Sequence, residues 1–320
     1  MRMAKILITG ACGLVGKKIC SGLLKRENTV IGTDVHPDDY NEGKEGYRFV
    51  LAGPRDRAVF ENLFKSENIE VVVHCACTAD NDIGDNITED DIKNSAIYDD
   101  YIYTLSVSSG VKQLILISTS QVYDFPKTRE PVRETDKLKI VSNYARLKRA
   151  AEMKLAESIK NDNNIIGAAL RVAPIYTSDF SDNLLSKILD PDTGGLFVYY
   201  SGDYGFQFCC LHNLVEFIMC FVKYADDKKY TGFYNIADND ICSAREIIKY
   251  ARERKTYGPV LQRNVGIDVV KSKLGKLKNR NDIKTNYRYN DMDTFFNNNV
   301  LDGTRAKKLC NFKWNIENTK

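Results

Sequence analysis

Apolar runs of strand length alternate with segments of helical apolar spacing over residues 1–170 of the chain. Continuous runs of β-branched and aliphatic residues predict buried strands, and apolar residues that recur every three or four positions predict helices. The predicted strands are Ala4–Thr9, Thr29–Thr33, Tyr47–Leu51, Glu70–Ala76 and Gln113–Ile117. The predicted helices between them are Lys17–Lys25, Val59–Lys65, Asp91–Ser109 and Asn143–Ala156. This alternation predicts an α/β fold with a doubly wound parallel sheet of the Rossmann type.

Three glycines separate the first predicted strand from the first predicted helix. Gly10, Gly13 and Gly16 follow Thr9 with the spacing of a dinucleotide fingerprint. The first glycine allows a tight turn, the second lets the backbone approach a pyrophosphate, and the third lets the helix pack on the strand. The alternative is a structural strand-to-helix turn without a ligand.

Asp34 ends the second predicted strand, about 20 residues beyond the glycines, where an acid accepts hydrogen bonds from an adenosine ribose. A carboxylate at this point repels a 2′-phosphate. The position therefore favours NAD over NADP.

Tyr144 and Lys148 lie four residues apart on a predicted helix, so both side chains are expected on one face. A phenol has an ordinary pKa of about 10, and a neighbouring ammonium lowers that value by favouring the phenolate. The pair is a candidate general acid/base for an alcohol or a ketone. In isolation the same spacing also suits a solvated helix face.

Hydroxyl side chains follow the strand Gln113–Ile117, at the edge where open α/β sheets bind their ligands. Ser118, Thr119 and Ser120 can hydrogen-bond a substrate oxygen, although a simple Ser/Thr turn has the same composition. His74 ends an earlier strand. No acid, cysteine or second histidine keeps a metal or triad spacing with it, so we interpret it as a packing residue and predict no metal site.

Composition excludes several classes of protein. The 46 basic and 43 acidic residues leave a net charge of +3, which does not favour nucleic-acid binding. No run reaches the roughly 20 apolar residues of a membrane-spanning helix, and glycines interrupt the apolar stretch near the N-terminus. The nine cysteines have no metal or redox spacing, which favours reduced thiols and a cytoplasmic location.

The motifs together resemble extended short-chain dehydrogenases/reductases, and more narrowly the NAD-dependent epimerase/dehydratase group that acts on nucleotide sugars. They occur in the order typical of that family: the glycine turn, Asp34, His74-x-Ala76, Asn94, Ser118-Thr119-Ser120-x-Val122-Tyr123 and Tyr144-x-x-x-Lys148.

The resemblance implies a role for each matching position. Thr119 would hydrogen-bond the reacting oxygen, Tyr144 would act as acid/base, and Lys148 would also hold the nicotinamide ribose. Ala76 and Asn94 would line the NAD site together with the glycines and Asp34. Substrate contacts are expected from Tyr123, Asn183 and Arg288. The resemblance also implies a homodimer that pairs through the helix of Tyr144 and the helix before the Thr119 strand.

It further implies a division of the chain. We place the NAD-binding Rossmann domain at residues 1–170, with a return segment near 208–240, and mainly a C-terminal substrate-binding part at 171–320. The Asn- and Lys-rich run 276–299 is interpreted either as a loop over the substrate or as an insertion.

Some positions depart from the family pattern. Ser120 and Gln121 stand where 4,6-dehydratases have an Asp-Glu pair, so a dehydratase is not expected. Phe206 and Gln207 stand where nucleotide-sugar enzymes commonly have a diphosphate-binding arginine, and Asn213 replaces a common Asp.

Three functions remain open from the sequence. The first is an NAD-dependent epimerase or related oxidoreductase acting on a nucleotide sugar. The second is an NAD(P)-dependent ketone reductase or alcohol dehydrogenase acting on a non-nucleotide or modified sugar. The third is a dinucleotide-binding protein without catalysis, which the presence of both Tyr144 and Lys148 disfavours.

Overall fold

The computed structural model of this 320-residue chain describes residues 4–77, 87–126, 130–160, 162, 164–190, 193–270 and 299–319. Arg288 and nearly all of the run 276–299 lie outside the described residues.

The strands, numbered in chain order, are β1 Lys5–Thr9, β2 Thr29–Asp34, β3 Tyr47–Leu51, β4 Val71–His74, β5 Gln113–Thr119, β6 Ile166–Val172, β7 Ile175–Tyr176, β8 Phe197–Tyr199, β9 Gly205–Phe206, β10 Cys209–Cys210, β11 Gly232–Ile236, β12 Cys242–Ser243 and β13 Leu261–Arg263. The helices are α1 Leu14–Leu24, α2 Arg57–Ser66, α3 Glu89–Ser108, α4 Asn143–Ile159, α5 Asp182–Leu185, α6 Leu211–Tyr224, α7 Ala244–Arg254 and α8 Thr304–Lys307.

Seven parallel strands form the central sheet in the order β11-β6-β5-β4-β1-β2-β3. The order reverses between β1 and β4, where Thr9 lies opposite His74 in register. Such a reversal opens a crevice at the carboxyl ends of the strands, which is where doubly wound sheets bind ligands. The predicted fold class is confirmed.

Helices cover both faces of the sheet because alternate residues of each strand point to opposite sides. Ile6 and Ile8 of β1 belong to a core packed against α1 and α6. Leu7, between them, belongs to a second core packed against α2, α3 and α4. The central strands therefore read as continuous apolar runs in the sequence.

The C-terminal region has its own apolar core, which contains Tyr176, Phe197, Phe206, Phe208 and Ile247. Three two-stranded pairings support it: β7 with β10, β8 with β13 and β9 with β12. The chain also returns to the Rossmann body after residue 208, since α6 packs on α1 and β11 pairs with β6.

All nine cysteines are free thiols, and five of them are buried. Among the helices of the described ranges, none combines the length and apolarity needed to span a membrane.

A buried ion pair joins β5, β6 and α4 behind the carboxyl ends of the strands. The Arg171 guanidinium donates to both carboxylate oxygens of Glu152 at 2.9 Å, and the side chains are 2% and 0% exposed. Ser118 also donates to Glu152 at 2.7 Å, and Arg171 donates to the Tyr123 hydroxyl at 3.1 Å. Removing one partner from such a group leaves a buried charge unpaired.

Replacing Arg171 with methionine is expected to lower the free energy of unfolding by about 3–5 kcal/mol, because it removes the buried guanidinium from Glu152 and leaves only the partly exposed Arg149 as a cationic partner. Urea unfolding measures the change. The control is Arg149→Met. Arg149 contacts the same carboxylate at 2.9 Å but is 31% exposed, so its loss is expected to cost below about 1 kcal/mol. Equal losses in the two variants would contradict the importance of burial.

Candidate active site

The glycine turn is packed too tightly for side chains at two of its three positions. Gly10 has φ +71°, and a Cβ there would lie 2.7 Å from the Ala76 nitrogen. A Cβ on Gly16 would lie 2.0 Å from the Gly10 carbonyl oxygen. At Gly13 the nearest atom would be 3.4 Å away, an ordinary contact. The first and third glycines thus permit close packing, and the second keeps the backbone accessible.

The start of α1 suits an anion. Its N-cap is Gly13, which provides no side-chain acceptor, and its first turn has no acidic residue. The amide hydrogens of the first turn are therefore available to a phosphate.

Asp34 lies at the carboxyl end of β2 beside this turn. One carboxylate oxygen accepts from the Cys12 nitrogen at 2.9 Å, and the other accepts from the His36 nitrogen at 3.2 Å. These bonds fix an acceptor next to the glycine turn. The residues present therefore fit an adenosine ribose and a pyrophosphate.

The proposed acid/base pair lies at the start of α4. The Ser142 side chain accepts from the Ala145 nitrogen at 3.1 Å and caps the helix, so Tyr144 falls in the first turn and Lys148 in the next. The Lys148 ammonium is 5.9 Å from the centre of the Tyr144 ring. Lys148 is 4% exposed.

Burial has the largest effect on the proposed base of this pair. Burial raises the pKa of Tyr144 and Lys148 lowers it, while Cys77 raises it further, and the net pKa is above the usual value. The expected lowering by Lys148 is therefore present, but in the protein alone loss of solvent outweighs it. Burial lowers the pKa of Lys148, but Cys77, Tyr144, Asp99 and Cys75 raise it by more.

Thr119 ends β5, and the turn that follows it packs against the start of α4. Gln121 accepts from the Ser142 hydroxyl at 3.1 Å, which joins the turn to the helix cap. The Thr119 hydroxyl oxygen accepts from the Gln121 nitrogen at 3.3 Å, so its hydrogen can be donated. The strand and the helix thus bring Thr119, Tyr144 and Lys148 to the same edge of the sheet.

His74 has an acidic partner, contrary to the sequence interpretation. The ring is fully buried, with Nε2 2.8 Å from the Asp99 carboxylate and Nδ1 2.7 Å from the Thr9 hydroxyl. Asp99 comes from α3, 25 residues later in the chain, so no short motif could indicate the contact.

Tyr123 does not face the crevice as predicted. Its buried hydroxyl donates to Asn235 at 2.6 Å and accepts from Arg171, which leaves it no hydrogen for a substrate. Asn183 lies on α5 and donates to the Ile175 carbonyl at 2.7 Å. Asn94 is exposed on α3. Ala76 donates its amide hydrogen to the Thr9 hydroxyl at 3.4 Å.

Gln207 and Asn213, which depart from the family pattern, make hydrogen bonds within the protein. Gln207 donates to the Asp238 carbonyl at 3.0 Å and accepts from the Leu301 nitrogen at 2.7 Å. Asn213 donates to the Asp238 carboxylate at 2.7 Å and accepts from the Trp314 nitrogen at 3.0 Å. Both side chains join the C-terminal segment to the body of the protein.

Sequence reasoning missed Lys187. Its ammonium lies 5.6 Å from the centre of the Phe206 ring, and burial lowers its pKa to about 8. It has no ion pair with the residues that the structure describes. Only the fold brings this cation beside Phe206, which stands where the family commonly has an arginine. Within the described ranges, no group of three or more His, Cys, Asp or Glu side chains could hold a metal ion.

Gly16 and Gly13 of the glycine turn should respond differently to replacement by alanine. Gly16→Ala is expected to destabilise the fold by about 1–3 kcal/mol, since its Cβ would overlap the Gly10 carbonyl. Gly13→Ala should retain the melting temperature yet weaken NAD binding on the order of tenfold, because its Cβ would point into the space needed by a pyrophosphate. Thermal melting and calorimetric NAD titration measure the two effects. Identical behaviour of the variants would contradict the separate roles.

The family model for the NAD dependent epimerase/dehydratase family matches residues 6–237. Protein CapI of Staphylococcus aureus is 26% identical over 311 residues, covering 87% of this chain and 85% of the relative. A UDP-glucuronate 4-epimerase of Thermodesulfobacterium geofontis is 28% identical over 171 residues, covering 47% of this chain and 50% of the relative.

Solved structures share the fold at low identity. UDP-glucose 4-epimerase of Thermotoga maritima with UDP-glucose gives a TM-score of 0.71 at 19% identity, covering 98% of this chain and 96% of that one. UDP-glucuronic acid 4-epimerase of Bacillus cereus with NAD gives 0.69 at 18%, covering 98% and 93%. With its fold and glycine turn, and with a family match across most of its length, the chain belongs to the NAD-dependent epimerase/dehydratase family of extended short-chain dehydrogenases/reductases.

Proposed function

We propose that this protein is an NAD-dependent epimerase of a nucleotide sugar, with Tyr144 as its acid/base. The observation that carries the proposal is the Tyr144–Lys148 pair at the start of α4, whose cap is joined to the turn that follows Thr119. The relatives named above as 4-epimerases act on UDP sugars, which supports this substrate class.

Each residue has a distinct task in this reaction. Bound NAD supplies an acceptor, and later a donor, of hydride at the sugar carbon. Tyr144 takes the proton of the sugar hydroxyl as the hydride leaves and returns it after the ketone has presented its other face. Lys148 stabilises the phenolate and holds the nicotinamide ribose. Thr119 donates a hydrogen bond to the reacting oxygen throughout.

A dehydratase fits the site less well, because elimination of a sugar hydroxyl needs an acid to protonate the leaving oxygen. The residues after Thr119 are Ser120, which is buried, and Gln121, which is bonded to Ser142. Neither is a general acid.

A second candidate is a reductase or alcohol dehydrogenase acting on a non-nucleotide or modified sugar. Phe206 and Gln207 favour it, since the common diphosphate-binding arginine is missing. Lys187 argues against this second candidate, since its ammonium lies near Phe206 and can provide positive charge there in place of the missing arginine.

Replacing Tyr144 with phenylalanine is expected to reduce turnover by about 10²–10⁴-fold while NAD binding persists, because only the proton-transferring hydroxyl is lost. NMR detection of isomerised product from a panel of UDP and dTDP sugars measures the rate. Tyr224→Phe, an exposed tyrosine at the end of α6, is the control and should retain full activity. An active Tyr144→Phe variant would rule out this acid/base.

The same panel separates the two candidates. An epimerase regenerates its cofactor, so product accumulates without a net change in nicotinamide absorbance. Steady consumption of NAD or NADH with substrate, and no isomerised product, would instead support the dehydrogenase or reductase.

We also propose that the protein is a homodimer that pairs through α3 and α4. Ile97 on α3 and Met153 on α4 are 57% and 59% exposed, so the two packed helices present apolar side chains that a second copy of the chain can cover. Ile97→Asp should yield monomers by light scattering, because a buried aspartate disfavours association. Ile241→Asp, at a site 50% exposed outside these helices, should leave the mass unchanged. A monomeric unaltered protein would refute the proposal.

A further inference from the structure

A buried carboxylate lies behind the proposed acid/base pair. Asp99 of α3 is 3% exposed, and one of its oxygens lies 2.8 Å from Nε2 of His74. The other oxygen is also buried and has no hydrogen-bond partner among the residues that the structure describes. Burying a carboxylate with one oxygen unpaired is costly, so its presence calls for a compensating positive charge.

A hydrogen bond from His74 fixes the position of this carboxylate. Its Nδ1 lies 2.7 Å from the Thr9 hydroxyl, whose oxygen accepts the Ala76 amide hydrogen at 3.4 Å. The Thr9 hydroxyl can donate to Nδ1, and a carboxylate accepts hydrogen bonds, so the arrangement consistent with both contacts has the ring hydrogen on Nε2. Nε2 then donates to Asp99.

The buried ammonium of Lys148 is a positive charge that the Asp99 carboxylate can balance. Burial lowers the pKa of its ammonium, and four groups oppose that effect: Cys77, Tyr144, Asp99 and Cys75. Three of the four are thiols or a phenol, which are negative only in alkaline solution. Asp99 is the single carboxylate among them, and α3 carries it along the side of α4.

The next carboxylate along α4 cannot substitute. Glu152 lies one turn beyond Lys148, but it is already bound by Arg171, Arg149 and Ser118. Its negative charge is therefore compensated by two guanidinium groups.

We propose that Asp99, held by His74, is a positioning residue of the active site whose negative charge balances the buried ammonium of Lys148 on the helix packed beside it. This inference rests on the role proposed for Lys148, but it requires no particular substrate. In this proposal Asp99 acts through the lysine.

Asp99→Asn tests the proposal, since it removes the charge and nearly preserves the shape. The lysine should then lose its proton as the pH rises, and NAD affinity should fall at least about tenfold between about pH 7 and about pH 9. The unaltered protein should show a nearly level affinity. Calorimetric NAD titrations over this range give the readout, and they do not depend on whether the protein is an epimerase.

The neighbouring residue provides a matched control. Asp100 has the same charge on the same helix, but it is 47% exposed and pairs with Lys154 at 3.4 Å. Asp100→Asn should follow the unaltered protein across the pH range. A purely structural role of Asp99 would lower the melting temperature and NAD affinity by the same factor at every pH, and that result would overturn the proposal.

Two further variants complete the test. Asp99→Ser removes the charge without placing an amide group against His74, and it should show the same pH-dependent loss if the asparagine variant fails to fold. Combining either substitution with Lys148→Arg should abolish the pH dependence, because a guanidinium remains charged throughout. Persistence of the loss in the double variant would show that another group is responsible.

Discussion

The buried Glu152–Arg171 ion pair is the constraint on which the geometry of the site depends. It joins the strand that ends in Thr119, the next strand of the sheet and the helix that carries Tyr144 and Lys148. Glu152 lies one helical turn beyond Lys148, so fixing its carboxylate fixes the rotation of the helix about its axis. Hydrogen bonds set the separation of the reacting groups more sharply than apolar packing would, because packing is non-directional.

Two buried carboxylates on neighbouring helices therefore serve the active site in different ways. Glu152 is neutralised by guanidinium groups and fixes geometry. Asp99 receives one hydrogen bond from His74 and, in our proposal, balances the charge of Lys148. A buried charge that is fully paired contributes little field to its surroundings, whereas a partly paired one contributes much. In our proposal this contrast lets one small region hold both a neutralised ion pair and the lysine of the acid/base pair.

The sequence alone was sufficient wherever the determining contacts are local. Strand, glycine turn and helix follow one another directly, and Tyr144 and Lys148 are one helical turn apart, so the fold and the central pair were both predicted. Contacts between distant segments were not. Tyr123 was expected to contact substrate, but Asn235 and Arg171, far along the chain, take its hydroxyl. The roles proposed for Lys187 and Asp99 likewise depend on residues that other segments of the chain pack against them.

The strand order determines when the central sheet can be completed during synthesis of the chain. β6 lies inside the finished sheet, yet its outer neighbour β11 is made of residues 232–236, about 60 residues later in the chain. Until the ribosome has released that segment, an apolar parallel strand stands at the edge of the sheet with unpaired backbone groups. Exposed edges of this kind recruit other chains. Adding the late strand therefore moves the edge of the sheet from the apolar strand β6 to β11, and α8 packs against β11.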